Sequence, residues 1–227
     1  MSPARAGSLV IFDCDGVLVD SEVVAARVLA RELAAIGFPL NAEECIARYT
    51  GISMRSVIER VEAEWGQRVP VDFIERVRAR DANAFRAELR AVPGVREVLP
   101  ILAHQKCVAS SGSLAKMRLT LTLTGVMPFF APRHLFSAEM VAHGKPAPDL
   151  FLLASERMGI APERSIVIED SCAGVHAAIA AGMRVLGFVG GSHCAPGYDA
   201  KLRGAGALRV FSEMAELPAL IEGEAVT

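Results

Sequence analysis

Two aspartates, Asp13 and Asp15, stand directly after an apolar run, Leu9-Val10-Ile11-Phe12, and are followed at once by Gly16. A second apolar run, Ile166-Val167-Ile168, leads into Glu169-Asp170, and between the two lie Ser110-Ser111-Gly112 and Lys145, the latter in a Gly/Pro-rich loop. Four carboxylates gathered without a cation repel and raise one another's pKa values, whereas Mg²⁺ takes hard oxygen ligands of this kind together with carbonyls and waters. A serine hydroxyl, the backbone N–H groups of Ser111 and Gly112 ahead of a helix, and a lysine are what a phosphate dianion requires. The residue types therefore point to a metal-assisted reaction at a phosphoryl group.

These residues converge only if they sit at the carboxyl ends of parallel strands, where open α/β sheets bind their ligands. Leu9 to Phe12 reads as a buried parallel strand, and Lys106 to Ser110, His134 to Ser137, Ser165 to Glu169, Arg184 to Phe188 and Leu208 to Phe211 read as further strands. Helices are expected at Val95–Ala103, Leu114–Leu123, Asp149–Met158, Gly174–Ala181 and Glu213–Glu222. The alternation predicts an α/β fold with a doubly wound, Rossmann-like parallel sheet. Gly187 to Gly206 is Gly-rich and reads as a long surface loop.

From about Ser21 to Arg90 the apolar residues fall at helical spacing instead: Val24, Val28 and Leu29, then Ile58, Val61 and Trp65, then Phe73, Ile74 and Val77. This stretch predicts an all-helical insert, with Trp65 anchoring its packing. The expected division is a core of residues 1–17 and 91–227 and a helical cap of residues 18–90.

Composition excludes several other classes. The 227 residues are 52% hydrophobic and 22% charged, too apolar to stay unfolded, and 24 Lys+Arg against 26 Asp+Glu leave a charge of −2 with no basic stripe for nucleic acid. No apolar run reaches the length of a membrane span, and Met1 to Ser8 lacks the features of an export signal. The cysteines Cys14, Cys45, Cys107, Cys172 and Cys194 form no Cys-x-x-Cys pair and read as reduced thiols in a cytoplasm. The five histidines show no zinc-ligand spacing and read as structural or surface residues, and Asp20 and Ser21 as helix caps or hinge residues. Nothing in the sequence sets an oligomeric state.

The segment Asp13-Cys14-Asp15-Gly16-Val17-Leu18-Val19-Asp20-Ser21-Glu22 resembles the first motif of the haloacid dehalogenase superfamily, in the branch with a helical cap after the first strand. Val108-Ala109-Ser110-Ser111-Gly112, Lys145-Pro146-Ala147-Pro148-Asp149 and Val167-Ile168-Glu169-Asp170-Ser171 resemble the second, third and fourth motifs in order. The resemblance implies that Asp13 attacks phosphorus to form an aspartyl-phosphate and that Asp15 acts as acid and then base. It implies a Mg²⁺ site made by Asp13, Asp15 (through its carbonyl), Glu169 and Asp170. Ser110, Ser111, Gly112 and Lys145 would hold the phosphoryl group, with Lys145 also orienting Asp13. The cap turn bearing Thr50, Gly51, Met54 and Arg55 would meet the substrate beyond its phosphate.

The reading that follows is a Mg²⁺-dependent phosphatase for a small phosphorylated metabolite, a sugar or sugar-acid phosphate. Asp15 counts against a dehalogenase, which lacks it, and the absence of Lys from residues 21–90 counts against a phosphonate hydrolase. A phosphosugar mutase of the β-phosphoglucomutase type would carry a His at Ala25 and an Arg at Met54, and has neither here. A non-catalytic phosphate-binding or signalling module would be shorter, or would have lost one of Asp13, Asp15, Lys145 or Asp170.

Overall fold

Leu9, Val10, Ile11 and Phe12 are all fully buried because strands pair with them on both edges and helices cover both faces. The computed structural model describes residues 8–223; residues 1–7, which belong to the expected core segment and to the stretch read for an export signal, and residues 224–227 lie outside the described residues. In chain order the elements are β1 (Leu9–Phe12), α1 (Glu22–Ala35), α2 (Ala42–Tyr49), α3 (Met54–Trp65), α4 (Phe73–Glu88), α5 (Val95–Val98), β2 (Gln105–Ser110) and α6 (Leu114–Leu123). They continue as β3 (Leu135–Ser137), α7 (Asp149–Met158), β4 (Ser165–Glu169), α8 (Cys172–Ala180), β5 (Arg184–Phe188), α9 (Tyr198–Gly204), β6 (Arg209–Phe211) and α10 (Leu217–Gly223).

The six strands are parallel in the order β3-β2-β1-β4-β5-β6, the doubly wound arrangement. The order in which strands are added reverses between β1 and β4, so the crevice above those two strands is where such a sheet presents a ligand site. Phe12 is in register with Val108 and Ile168, which sets Asp13 level with the ends of β2 and β4. Val10 and Phe12 pack into one cluster with Leu121 of α6 and Leu217 of α10, while Leu9 and Ile11 pack into another with Phe151 of α7 and Val175 of α8. Each such side chain contributes about 1.5–3 kcal/mol on burial, against about 0–1 kcal/mol for an exposed ion pair. The apolar run, more than pairs such as Arg27–Glu88, therefore fixes where the acids emerge.

The helices between β1 and β2 have their own hydrophobic cluster, with Leu29, Leu33, Val57, Val61, Phe73 and Val77 among its members. Asn41 and Glu44 form a reciprocal capping box at the start of α2, and Gly66 ends α3 in the left-handed conformation at φ 73°. Trp65 is peripheral, half-buried and edge-on to Phe38. The chain leaves and re-enters the sheet layer side by side: Asp20 N–H donates to the Arg90 carbonyl (3.0 Å) and Val92 N–H to that of Leu18 (3.1 Å).

Three expectations need correction. α5 stops at Val98 rather than Ala103, because Pro100 has no N–H to continue the ladder and its ring clashes with the preceding turn. The stretch read as a surface loop from Gly187 to Gly206 contains α9, a seven-residue helix anchored by the buried Leu202. The last helix opens with a 3₁₀ turn at Met214–Glu216 and becomes α10 at Leu217, where Pro218 suits a first turn.

Candidate active site

Asp13 leaves β1 with its N–H donated to the Ile168 carbonyl of β4 (2.9 Å), which directs its carboxylate to the strand ends. Lys145 Nζ reaches it from the loop before α7, donating to Asp13 Oδ1 (2.6 Å), Glu169 Oε1 (2.6 Å) and the Ala109 carbonyl (3.0 Å). The ammonium is buried and stands 4.8 Å from the centre of the Phe151 ring. A buried lysine persists only with such compensation, and Asp13 and Glu169 outweigh its desolvation to hold it above the usual lysine value. Glu169 Oε2 accepts from Ser171 N–H and Oγ (both 2.9 Å), so both Glu169 oxygens are engaged. Gly174 is required beneath them, since a Cβ there would lie 1.8 Å from Oε1.

Asp15 has different company. Ser21 Oγ (2.5 Å) and Ser110 Oγ (3.4 Å) donate to its carboxylate, and Lys116 Nζ lies 2.9 Å from Oδ1. Burial alone would raise Asp15, but Lys116 and these hydrogen bonds leave it below the usual carboxylate value. Asp13 goes the other way: burial pushes it well above that value, Lys145 opposes, and Glu169, Asp170 and Asp15 push it further up. Two aspartates two residues apart thus have opposite tendencies: burial and crowding by acids favour the neutral form of Asp13, and Lys116 with the hydrogen bonds favours the ionised form of Asp15.

Ser110, Ser111 and Gly112 form the turn from β2 into α6. Gly112 N–H donates to Ser110 Oγ (3.0 Å), and a Cβ on Gly112 would crowd that oxygen and Asp15 Oδ2 at 3.3 and 3.4 Å. Ser111 Oγ donates across to the Gly51 carbonyl of the inserted helices (2.8 Å). Thr50 turns its hydroxyl back to the Ile46 carbonyl (2.8 Å), while Gly51 lies against the core, where a Cβ would fall 2.2 Å from Ser171 Oγ. Met54 is half-buried and Arg55 exposed; both line the cavity between the inserted helices and the strand ends. That cavity measures about 650 Å³, and Asp13, Asp15, Ser110, Ser111, Gly112 and Lys145 line its floor.

Asp170 lies just behind this floor and is buried. Gly16 (φ 77°) packs on it so closely that a Cβ would stand 1.9 Å from Asp170 Oδ2. His193 Nε2 is 3.0 Å from the same oxygen, an ionic contact that lacks hydrogen-bond alignment, so Oδ2 has no aligned donor. Burial works against a charged imidazole, yet Asp170 outweighs it and His193 is pushed up to about 11. Burial raises Asp170, with His193 opposing.

No three acidic, histidine or cysteine side chains among the described residues already form a metal-binding cluster. The donor set nevertheless suits a hard divalent cation. Asp13, Asp15, Glu169 and Asp170 face Lys145, Lys116 and His193, four acids against three cations, so the hard oxygen donors outnumber the side-chain charges that offset them.

Several site residues escaped the sequence reading. Lys116 had a signal, since a lysine in the first turn of a helix opposes the helix dipole and implies a local acid. Ser21 makes no cap hydrogen bond and serves Asp15 instead, and Asp20 accepts from Ser192 rather than capping α1. His193 could have been found by reading past the end of β5 as past the other strands. Glu22 and Asp81 also line the cavity, and burial, with Asp15 among the charges adding to it, pushes each up to about 7.

A model of the haloacid dehalogenase-like hydrolases matches residues 10–188. The chain is 33% identical over 212 residues to the 6-phosphogluconate phosphatase of Escherichia coli (strain K12), covering 93% of each protein. It is 31% identical over 188 residues to a phosphorylated carbohydrates phosphatase of Thermotoga maritima, covering 79% of this chain and 84% of that one. A crystal structure of a conserved haloacid dehalogenase-like protein of unknown function from Agrobacterium tumefaciens superposes with a TM-score of 0.81 at 38% identity, covering 97% of this chain and 100% of that one.

Proposed function

Because the chain belongs to the haloacid dehalogenase-like hydrolases, we propose that it is a divalent-metal-dependent phosphatase that hydrolyses sugar or sugar-acid monophosphates through a phosphorylated Asp13. The observation that carries this reading is the pair Asp13 and Asp15 on one cavity floor, the first bound by Lys145 and the second by Lys116, Ser21 and Ser110. The names of the two curated relatives, both phosphatases and one of phosphorylated carbohydrates, support it.

In this account Asp13 attacks phosphorus and the alkoxide leaves, dividing one displacement into two easier ones. Asp15 gives the leaving oxygen its proton and later takes one from the attacking water. Lys116 and Ser21 keep Asp15 ionised, the form that accepts the water's proton. An incoming phosphate dianion raises Asp15 and competes for Lys116, which favours the protonated form needed first. Lys145 orients Asp13 and offsets phosphoryl charge, and Ser110 with the amides of Ser111 and Gly112 holds the phosphoryl oxygens; Glu169, expected from the sequence as a metal ligand, has both oxygens taken by Lys145 and Ser171 and acts by fixing Lys145. Asp13, Asp170 and the Asp15 carbonyl would hold the cation, Mg²⁺. When bound, it offsets charge at the phosphoryl oxygens and the mutual repulsion of the acids.

The inserted helices act as a cap that closes over the substrate, docked by Ser111 on Gly51. Ala25 and Met54 line the cavity where mutases of this family carry a His and an Arg, which favours plain hydrolysis. Arg55 offers a charge partner to a sugar acid. A cytoplasmic location, where sugar phosphates are made and free thiols persist, accords with five unpaired cysteines.

The test is free phosphate released from a panel of hexose, pentose and sugar-acid phosphates, with Mg²⁺ and with EDTA. Release only with Mg²⁺, and a KM for a sugar-acid phosphate that rises more than for a neutral one in Arg55→Ala, is expected. Interconversion of 1- and 6-phosphates primed by a bisphosphate would replace the phosphatase reading with the mutase one.

A further inference from the structure

The loop after β5 carries a histidine to which the account above gives no part. Gly190 to Cys194 turns back on itself, with Cys194 N–H donating to the Gly191 carbonyl (3.0 Å). It is fixed from several sides. Ser192 donates its N–H (2.9 Å) and Oγ (2.8 Å) to Asp20 Oδ1, just before the chain enters α1. Gly191 lies against the turn after β1, since a Cβ there would stand 2.9 Å from the Gly16 carbonyl. The His193 ring meets Tyr198 edge-on, with centroids 5.7 Å apart.

These contacts seat a fully buried imidazole with Nε2 3.0 Å from Asp170 Oδ2. The Cys194 thiol is the other neighbour of that nitrogen, at 3.3 Å, but sulfur is a weak hydrogen-bond partner. Asp170 Oδ2 has no aligned hydrogen bond, and Gly16 closes its other side, so a small rotation of the imidazole is the direct way to satisfy it. A carboxylate with one oxygen held cannot swing about its last bond, so the direction of its other oxygen is fixed as well. Loss of such an outer partner typically costs about 10–100-fold in metal affinity.

We propose that His193 is a positioning residue for Asp170, held by the Asp20–Ser192 clasp so that Asp170 offers a fixed oxygen to the divalent cation. The inference rests on the metal reading above and deepens it.

The test is binding of Mn²⁺, an oxygen-ligated stand-in, to the substrate-free protein, read from the EPR signal of unbound ion. Wild type, Asp170→Asn, His193→Leu and His193→Gln are compared after folding is checked by circular dichroism. Asp170→Asn should lose the site. His193→Leu, which keeps bulk and loses the donor, should bind about 10–100-fold more weakly, while His193→Gln, which carries an N–H at similar reach, should stay within about threefold of wild type. If the leucine variant does not fold, His193→Met, also without a donor, takes its place. Asp170→Asn losing the site while His193→Leu binds as wild type would overturn the role of His193 alone. Equal losses in the leucine and glutamine variants would reduce His193 to packing and also overturn it. Wild-type binding in Asp170→Asn, or none in wild type, would overturn the metal reading and this inference with it.

Discussion

Lys116 Nζ lies 2.9 Å from Asp15 Oδ1 and 5.6 Å from the centre of the Phe85 ring, so one side chain of α6 joins the acid beyond β1 to the inserted helix α4. Asp15 and the inserted helices therefore share a residue. Replacing Lys116 by Met removes the cation that offsets Asp15 burial, so the Asp15 pKa rises. The acidic limb of the dephosphorylation rate, which needs Asp15 ionised, should move to higher pH. A limb that stays in place would show that Lys116 does not govern Asp15.

Asp15→Asn separates the two half-reactions. It should cost roughly 10²–10⁴ in rate on an alkyl phosphate and less in the burst phase with an aryl phosphate, whose leaving group needs no proton. Equal burst-phase losses would remove Asp15 from the role of acid.

Gly51→Ala tests cap closure. The added Cβ would fall 2.2 Å from Ser171 Oγ on the core and occupy a backbone at φ 83°, so the closed state is disfavoured from both sides. kcat/KM should fall at least about tenfold while thermal stability changes by about 1 kcal/mol. Wild-type kinetics in this variant would mean that the turn does not dock during turnover.

Asp81 sets a pH dependence of stability. It is buried, its Oδ1 has no hydrogen-bond partner, and burial pushes it up to about 7 despite the opposing Lys116. Between the ordinary aspartate value and about 7 the folded protein binds more protons than the unfolded chain, so stability contributed by this group falls as pH rises through that window. Asp81→Asn should reduce the loss of Tm between pH 5 and pH 8, with Glu22, pushed up to about 7 in the same sense, supplying what remains. An unchanged slope would exclude Asp81 as its source.

What could be read in advance follows from range of interaction. Leu9–Phe12, Ser165–Glu169 and Arg184–Phe188 were legible as strands because their burial is written in consecutive apolar residues. Asp13, Ser110, Lys145 and Glu169 were legible because strand-end position and residue type agree. The seven residues of α9 place only Leu202 in the core, too little for a periodic signal. Ser21 and Asp20 look like caps locally, and their actual partners, Asp15 and Ser192, are set by tertiary packing. His193 is 23 residues past Asp170 in a Gly-rich segment, and only the return of the chain after β5 brings the two together.

A phosphorylated Asp13 can be trapped when the second half-reaction is blocked. Asp15→Asn is mixed with an aryl phosphate and Mg²⁺, quenched in acid within one turnover, digested with pepsin and examined by mass spectrometry. The peptide containing Asp13 should carry one added phosphoryl group, absent with EDTA and absent when Asp13 is also changed to Asn. Substrate turnover with no phosphoryl group on that peptide, or with the group on another residue, would remove Asp13 from the role of nucleophile.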